Sequence, residues 1–295
     1  MKNVALVLGS GGARGLTHIG AIEELEHQGY TITSISGASM GSVVGGVYAA
    51  GHLPEFKKWI CNLDRLGVYS LMDFTLTTQG FIKGDKVFNE IKKFVNHKNI
   101  EELNIPFVAV AVDIASGKQK VFDSGDLFSA IRASVAIPSV LTPVYLDDAV
   151  LVDGGVMNPL PMDAVKRSNN DIMVAVDLNG PGQYKSKKQL SKERAKELKS
   201  EKSRWEKALS SVFSDFLKSN DKKKKHNYFD ILNGSFDLMQ SRFTEVLLQE
   251  HKPNILVRIP KSAADTFDFF RAEELIEFGR EQTKSAIKLF EKEKK

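Results

Sequence analysis

The sequence predicts an α/β fold, a three-layer α/β/α sandwich around a mainly parallel central sheet. Three observations carry this. Stretches rich in Val, Ala, Ile and Leu at 3–8, 107–114, 172–176 and 254–259 have the composition of strands buried on both faces. Two strand, glycine turn, helix units follow one another within residues 3–51. Helical periodicity then alternates with the remaining strands, the pattern of a sheet covered by helices on both sides.

Taken in order, Asn3 to Leu8 is a β-favouring run closed by a glycine-rich turn, after which Leu16, Ile19, Ile22 and Leu25 recur at helical spacing. Tyr30 to Ser36 alternates Ile32 and Ile35 with polar residues and leads into Gly37-Ala38-Ser39-Met40-Gly41. Val43, Val44, Val47 and Tyr48 then predict a helix ending at Gly51. Phe107 to Ile114 reads as a strand, with Lys118 to Phe122 as its hairpin partner across Ser116-Gly117. Helical patterns cover Asp85 to Val95, Asp126 to Ser134, Phe229 to Leu248 and Ala272 to Phe290. Between Asp177 and Tyr228 the pattern gives way to a Gly-Pro-Gly turn and a Lys/Glu-rich stretch. We read residues 1–295 as one domain with a basic, partly helical insertion at about 183–228.

With 42% hydrophobic and 26% charged residues, the chain has the composition of a folded protein. Met1 to Leu8 is too short an apolar run for a secretory leader, and no run of about 18 apolar residues predicts a spanning helix. Cys61 is the only cysteine, which excludes intramolecular disulfides and Cys-rich zinc sites and fits a reducing cytoplasm. The net charge of +4 is unevenly placed: residues 184–225 hold 15 Lys and Arg against 6 Asp and Glu, or +9, so the rest of the chain is near −5.

Gly37-x-Ser39-x-Gly41 between a predicted strand and a predicted helix is the setting of a nucleophile elbow. Its glycines permit a sharp turn, and the following helix aims its positive end at the serine. A serine nucleophile needs a base. His226 and His251 sit in a Lys-rich run and at a helix end, while His18, His27, His52 and His97 read as helix-surface or helix-end residues, so no histidine is expected to serve. Acyl chemistry also needs donors for an oxyanion, and Ser10-Gly11-Gly12-Ala13-Arg14-Gly15 offers backbone N–H groups at a helix start. A nucleotide cradle is the rival reading of that loop, but the Gly-Lys-Ser/Thr of a phosphate loop and the glycines and acid of a dinucleotide fingerprint are missing. Asp153 closes the short strand Leu151-Val152-Asp153 before Gly154-Gly155, where an acid is either a turn former or a base.

Four stretches together resemble the patatin-like phospholipase family, especially its compact bacterial members. They are Gly9 to Gly15 with His18-Ile-Gly20, Gly37 to Gly41, Ala133 to Pro138 with Pro143-Val144, and Asp153-Gly154-Gly155 with Asn158-Pro159. Gly84-Asp85-Lys86 is similar to the family's lead into a middle helix. The similarity covers residues 3 to 180 and fades through the insertion. It implies a Ser-Asp dyad without histidine, in which Ser39 attacks an ester carbonyl, Asp153 takes its proton and water later releases the fatty acid from an acyl-enzyme. It implies an oxyanion hole at Gly11, Gly12 and Ala13, with Arg14 fixing the loop or a phosphate, no cofactor and no need for calcium or another metal. Phospholipids, lysophospholipids or simpler acyl esters are the implied substrates. Ser10 departs from the family, which commonly has glycine there, and a positive φ at that position would strain a serine. The Ala133 to Pro138 stretch is read as the wall beside the site, and Ser134 is not the nucleophile.

Two further readings of function stay open. The same Ser39 would serve an acyltransferase that hands the acyl group to an alcohol or thiol, and a regulatory, membrane-associated protein would keep the pocket without turnover. The basic stretch, with Trp205, Phe213 and Phe216 interleaved, is either a solvated helical lid or a peripheral contact with anionic lipid at the inner face of the membrane. No recognition motif accompanies the charge, so nucleic acid is not an expected partner.

Overall fold

The computed structural model describes residues 2–77, 80–95, 98–184 and 228–294. The basic insertion, apart from its edges, lies outside the described residues. The elements run β1 (Lys2–Leu8), α1 (Thr17–His27), β2 (Tyr30–Ala38), α2 (Met40–Ala49), α3 (Leu53–Cys61), α4 (Arg65–Leu71), β3 (Phe74–Thr77), β4 (Gly80–Ile82), α5 (Asp85–Lys92), β5 (Phe107–Asp113) and β6 (Lys118–Phe122). They continue with α6 (Leu127–Ser134), β7 (Val144–Leu146), β8 (Ala149–Asp153), β9 (Ile172–Gly180), α7 (Tyr228–Glu250), β10 (Ile255–Pro260) and α8 (Ala272–Glu293).

The main sheet has the order β10-β9-β1-β2-β5-β8-β7, with β6 on the other edge of β5. β10, β9, β1, β2 and β5 are mutually parallel, whereas β6 and β8 run antiparallel to β5. Side chains alternate across a strand, and β1 shows both faces filled. Val4, Leu6 and Leu8 join the larger core with Ile19, Val44 and Leu275 from α1, α2 and α8. Ala5 and Val7 face the opposite layer with Leu160 and Met162, where Leu247 and Leu248 of α7 pack. Each fully buried Leu or Val contributes about 1.5–3 kcal/mol over exposure, so a sheet covered on both faces holds its strand ends rigidly. The predicted α/β/α sandwich is therefore the observed fold.

Several predicted boundaries differ: β9 runs on to Gly180 instead of ending at Val176, and α8 runs to Glu293 instead of Phe290. α5 stops at Lys92, three residues before the expected end, because Lys93 and Phe94 tighten to N–H bonds with carbonyls three residues back.

Register on β5 positions the site. Ala38, the last residue of β2, pairs with Val110, and Asp153, the last residue of β8, pairs with the next residue, Ala111. β2 and β8 share one edge of β5, so the residue that follows Ala38 emerges beside Asp153.

Candidate active site

Ser39 stands between β2 and α2 with φ of 54° and ψ of −126°. A non-glycine residue held there stores about 1–3 kcal/mol of strain, which the surroundings must offset. Its carbonyl accepts from the Ser42 hydroxyl at 2.6 Å and from the Ser42 N–H at 2.9 Å. Its own N–H donates to Ser134 Oγ at 3.0 Å, and the Ser134 hydroxyl in turn donates to the Val110 carbonyl at 2.6 Å. Ser134, expected as a piece of wall, thus also holds the backbone of the elbow. A Cβ on Gly37 would overlap the Gly41 carbonyl, and one on Gly41 would overlap the Leu8 carbonyl, so both elbow glycines answer to close backbone approach.

The Ser39 hydroxyl donates to Asp153 Oδ2 at 2.5 Å, and the other carboxylate oxygen accepts from the Gly155 N–H at 2.7 Å. Asp153 is buried, and burial pushes its carboxyl up from 3.8 to about 7, against the opposing pull of the Ser39 hydroxyl and the Gly155 N–H. A base titrating near neutrality is matched to proton transfer at physiological pH. Gly154 has no room for a side chain because its Cα faces the Val110 carbonyl.

The glycine loop is tighter than its sequence suggests. Ala13 N–H donates to the Thr266 carbonyl at 3.0 Å and Arg14 N–H turns back to the Gly11 carbonyl at 3.2 Å. Of the three residues expected to form the oxyanion hole, Gly11 and Gly12 keep their N–H groups uncommitted among the described residues, whereas Ala13 does not, its N–H being taken by Thr266. Gly12 has φ of 55°, a conformation that suits glycine. Ser10 is not among the positive-φ residues, so serine is unstrained at the position where strain was a concern. Arg14, 4% exposed, donates its Nε–H to the Gly11 carbonyl at 3.0 Å and lies 3.6 Å from Asp237. Arg14 is thereby committed to holding the loop.

His18, expected on a helix surface or at a helix end, stands at the start of α1 but not on the surface. α1 is enclosed between the sheet and α8, and His18 is fully buried with Nε2 2.8 Å from the Gly9 carbonyl. Burial lowers it to about 4, so the ring is neutral with its Nε2–H donated to that carbonyl. It makes no bond to Ser39 or Asp153.

A cavity of about 160 Å³ adjoins the serine. Ser39 and Met40 share its wall with Phe56 and Trp59 of α3, Val87 of α5 and Thr266, the residue against which Gly12 packs. The remaining lining is almost wholly apolar. Among the described residues, no three His, Cys, Asp or Glu side chains gather closely enough to hold a metal ion, and no helix is long and apolar enough to cross a membrane.

The site thus brings together a strained serine at a strand-to-helix turn, a buried carboxylate on its hydroxyl, a glycine loop and an apolar cavity. The sequence signature described as patatin-like phospholipase matches residues 6–166. An uncharacterized NTE family protein of Mycobacterium tuberculosis is 33% identical across 98% of this chain and 92% of its own length. A lysophospholipase of Scheffersomyces stipitis is 32% identical over 59% of this chain, and patatin-like phospholipase domain-containing protein 6 of Mus musculus is 31% identical over 60%. Those two proteins are far longer, and the matches span 12% and 14% of them. The chain belongs to the patatin-like phospholipase family. Membership supports a lipid acyl hydrolase as its broad class.

Proposed function

We propose that the protein is a serine lipid acyl hydrolase of the phospholipase A, lysophospholipase or carboxylesterase type, working through Ser39 and Asp153. The observation that carries this reading is the 2.5 Å bond from the Ser39 hydroxyl to a buried carboxylate beside an apolar cavity. Asp153 accepts the Ser39 proton as Oγ bonds to the acyl carbonyl carbon. The carbonyl oxygen becomes an oxyanion facing the Gly11 and Gly12 N–H groups, with the N-terminal end of α2 adding its field. Collapse breaks the ester bond, and the leaving alcohol takes the proton from Asp153. Water then gives a proton to Asp153 and its oxygen to the acyl carbon, releasing fatty acid and restoring Ser39. The apolar cavity suits the acyl chain, since burying each methylene stabilises the complex by about 0.8 kcal/mol.

The test is hydrolysis of p-nitrophenyl esters of graded chain length by the wild type, Ser39→Ala and Asp153→Asn, without added calcium. Loss of turnover in both variants is expected. Activity surviving either change would overturn the assignment.

We further propose that the +9 stretch at 184–225 draws the enzyme to anionic lipid. Deleting it should weaken binding to phosphatidylserine vesicles at low salt, and unchanged binding would contradict this.

A further inference from the structure

Ser10 is fully buried, and its hydroxyl accepts a hydrogen bond at 2.9 Å from the Nε2 of Gln240, 3% exposed, on α7. Gln240 lies 230 positions away from Ser10 and outside residues 6–166, the part of the chain that carries the family signature. The pair lies flat against Gly155: a Cβ there would overlap both the Gln240 amide nitrogen and the Ser10 hydroxyl. Gly155 is the residue whose N–H holds Asp153 Oδ1. Ser10 directly precedes Gly11, the first uncommitted donor of the glycine loop. One buried hydrogen bond therefore ties the loop that would receive the oxyanion to α7, and the bonded pair packs against the residue that orients the carboxylate. A second fastening lies one turn earlier on α7, where Asp237 stands 3.6 Å from Arg14 and 3.2 Å from Lys261.

We propose that Gln240 is a positioning residue for the reaction at Ser39, acting through Ser10 to fix the spacing between the glycine loop and Gly155. The inference rests on the reading of Ser39 and Asp153 as nucleophile and base. It also gives a reason for the serine at position 10. Where the family resemblance leads one to expect glycine, this chain carries a hydroxyl, and α7 supplies its partner. Small displacements at reacting groups are expensive, about 100-fold in rate for 1 Å, so a brace between the two loops bears on turnover more than on ground-state affinity.

The experiment uses the full chain and p-nitrophenyl butyrate, a short ester that makes little demand on the cavity. Gln240→Ala and the near-isosteric Gln240→Met are compared with the wild type, each alone and in the Ser10→Gly background. Tm and circular dichroism verify folding, and Gln240→Met keeps the packing of α7 if the alanine variant proves unstable. The expected result is a fall in kcat of about 10- to 100-fold with KM within about threefold, together with an upward move of the acid limb of kcat/KM as Gly155 loosens its hold on Asp153. In the Ser10→Gly background the further loss should be under about threefold, because the bridge is already gone. A Gln240→Met enzyme with wild-type kcat and acid limb, or an equal loss in both backgrounds, would overturn this inference while leaving the Ser39–Asp153 reading intact. A wild type inert on every ester would overturn both.

Discussion

The hydroxyl of Ser39 reaches the carboxylate of Asp153 across 114 positions of sequence because two neighbouring residues of β5 place them. Val110 pairs with Ala38 and Ala111 pairs with Asp153, so a parallel strand and an antiparallel strand end face to face on the same edge. The serine is then turned out by a backbone with φ of 54°, and the aspartate is buried. Burial beside the Ser39 hydroxyl leaves a carboxyl that titrates near neutral pH.

Since Ser39 donates to the ionised form of Asp153, kcat/KM should rise with pH through a single ionisation at about 7 and then stay level to about pH 9. Initial rates on a soluble ester across this range provide the check. An acid limb near 4 would mean that Asp153 titrates like an exposed carboxylate.

The same shift predicts a stability signature. A carboxyl raised from 3.8 to about 7 on folding binds its proton more tightly in the native state. It therefore favours folding at low pH, and that contribution is lost as pH rises through this window, by at most about 4 kcal/mol. Asp153→Asn removes the burden, so its Tm should exceed that of the wild type by several degrees at about pH 8 and by much less at about pH 5. His18 works in the opposite direction. Its pKa is lowered from 6.5 to about 4, so its contribution is complete above 6.5 and lost as pH falls toward 4. With the Asp153 contribution gone, Asp153→Asn should lose stability on acidification more steeply than the wild type in thermal melts.

Ser134→Ala tests the support of the elbow. It strips an acceptor from the Ser39 N–H and a donor from the Val110 carbonyl, both buried. Leaving such groups unpaired costs about 1–3 kcal/mol, and the strained Ser39 backbone should relax away from Asp153. We expect a lower Tm and a kcat reduced by about 10-fold or more, because small misplacements of reacting groups are magnified in rate. Unchanged kinetics would show that the strand ends alone hold the elbow.

Much of this arrangement is legible in the sequence, for identifiable reasons. Strands buried on both faces write continuous apolar runs, so β1 and β5 are plain, and the elbow is marked by glycines that close packing enforces. Residues 53–82 carry no assignment from pattern, although α3 has Leu53, Phe56 and Ile60 buried at helical spacing with Pro54 in its first turn. β3 and β4 form a separate two-stranded sheet, too short to write a period. His18 escapes because the apolar positions of α1 mark one face, while the polar ring is sealed by its bond to the Gly9 carbonyl just beyond β1, which helical spacing does not show. Gln240 and Thr244 are buried on the inner face of α7 at i and i+4, where pattern reading expects apolar residues, so α7 gives no hint that it touches the glycine loop.

Substrate length should respond to the cavity. Val87→Trp narrows the apolar wall without touching Ser39 or Asp153. Each methylene denied burial forfeits about 0.8 kcal/mol, roughly fourfold in kcat/KM. Long-chain esters should therefore suffer at least about 10-fold more than butyrate when a series is compared with the wild type. An equal loss on all lengths would place the acyl chain elsewhere.

The most direct test of the Ser39–Asp153 pair is covalent labelling with a fluorophosphonate, followed by peptide mass spectrometry. The pairing predicts one adduct, on Ser39, formed in the wild type and slowed by about 100-fold or more in Asp153→Asn at neutral pH. An adduct on another serine, or labelling of Ser39 at the wild-type rate without the carboxylate, would contradict it.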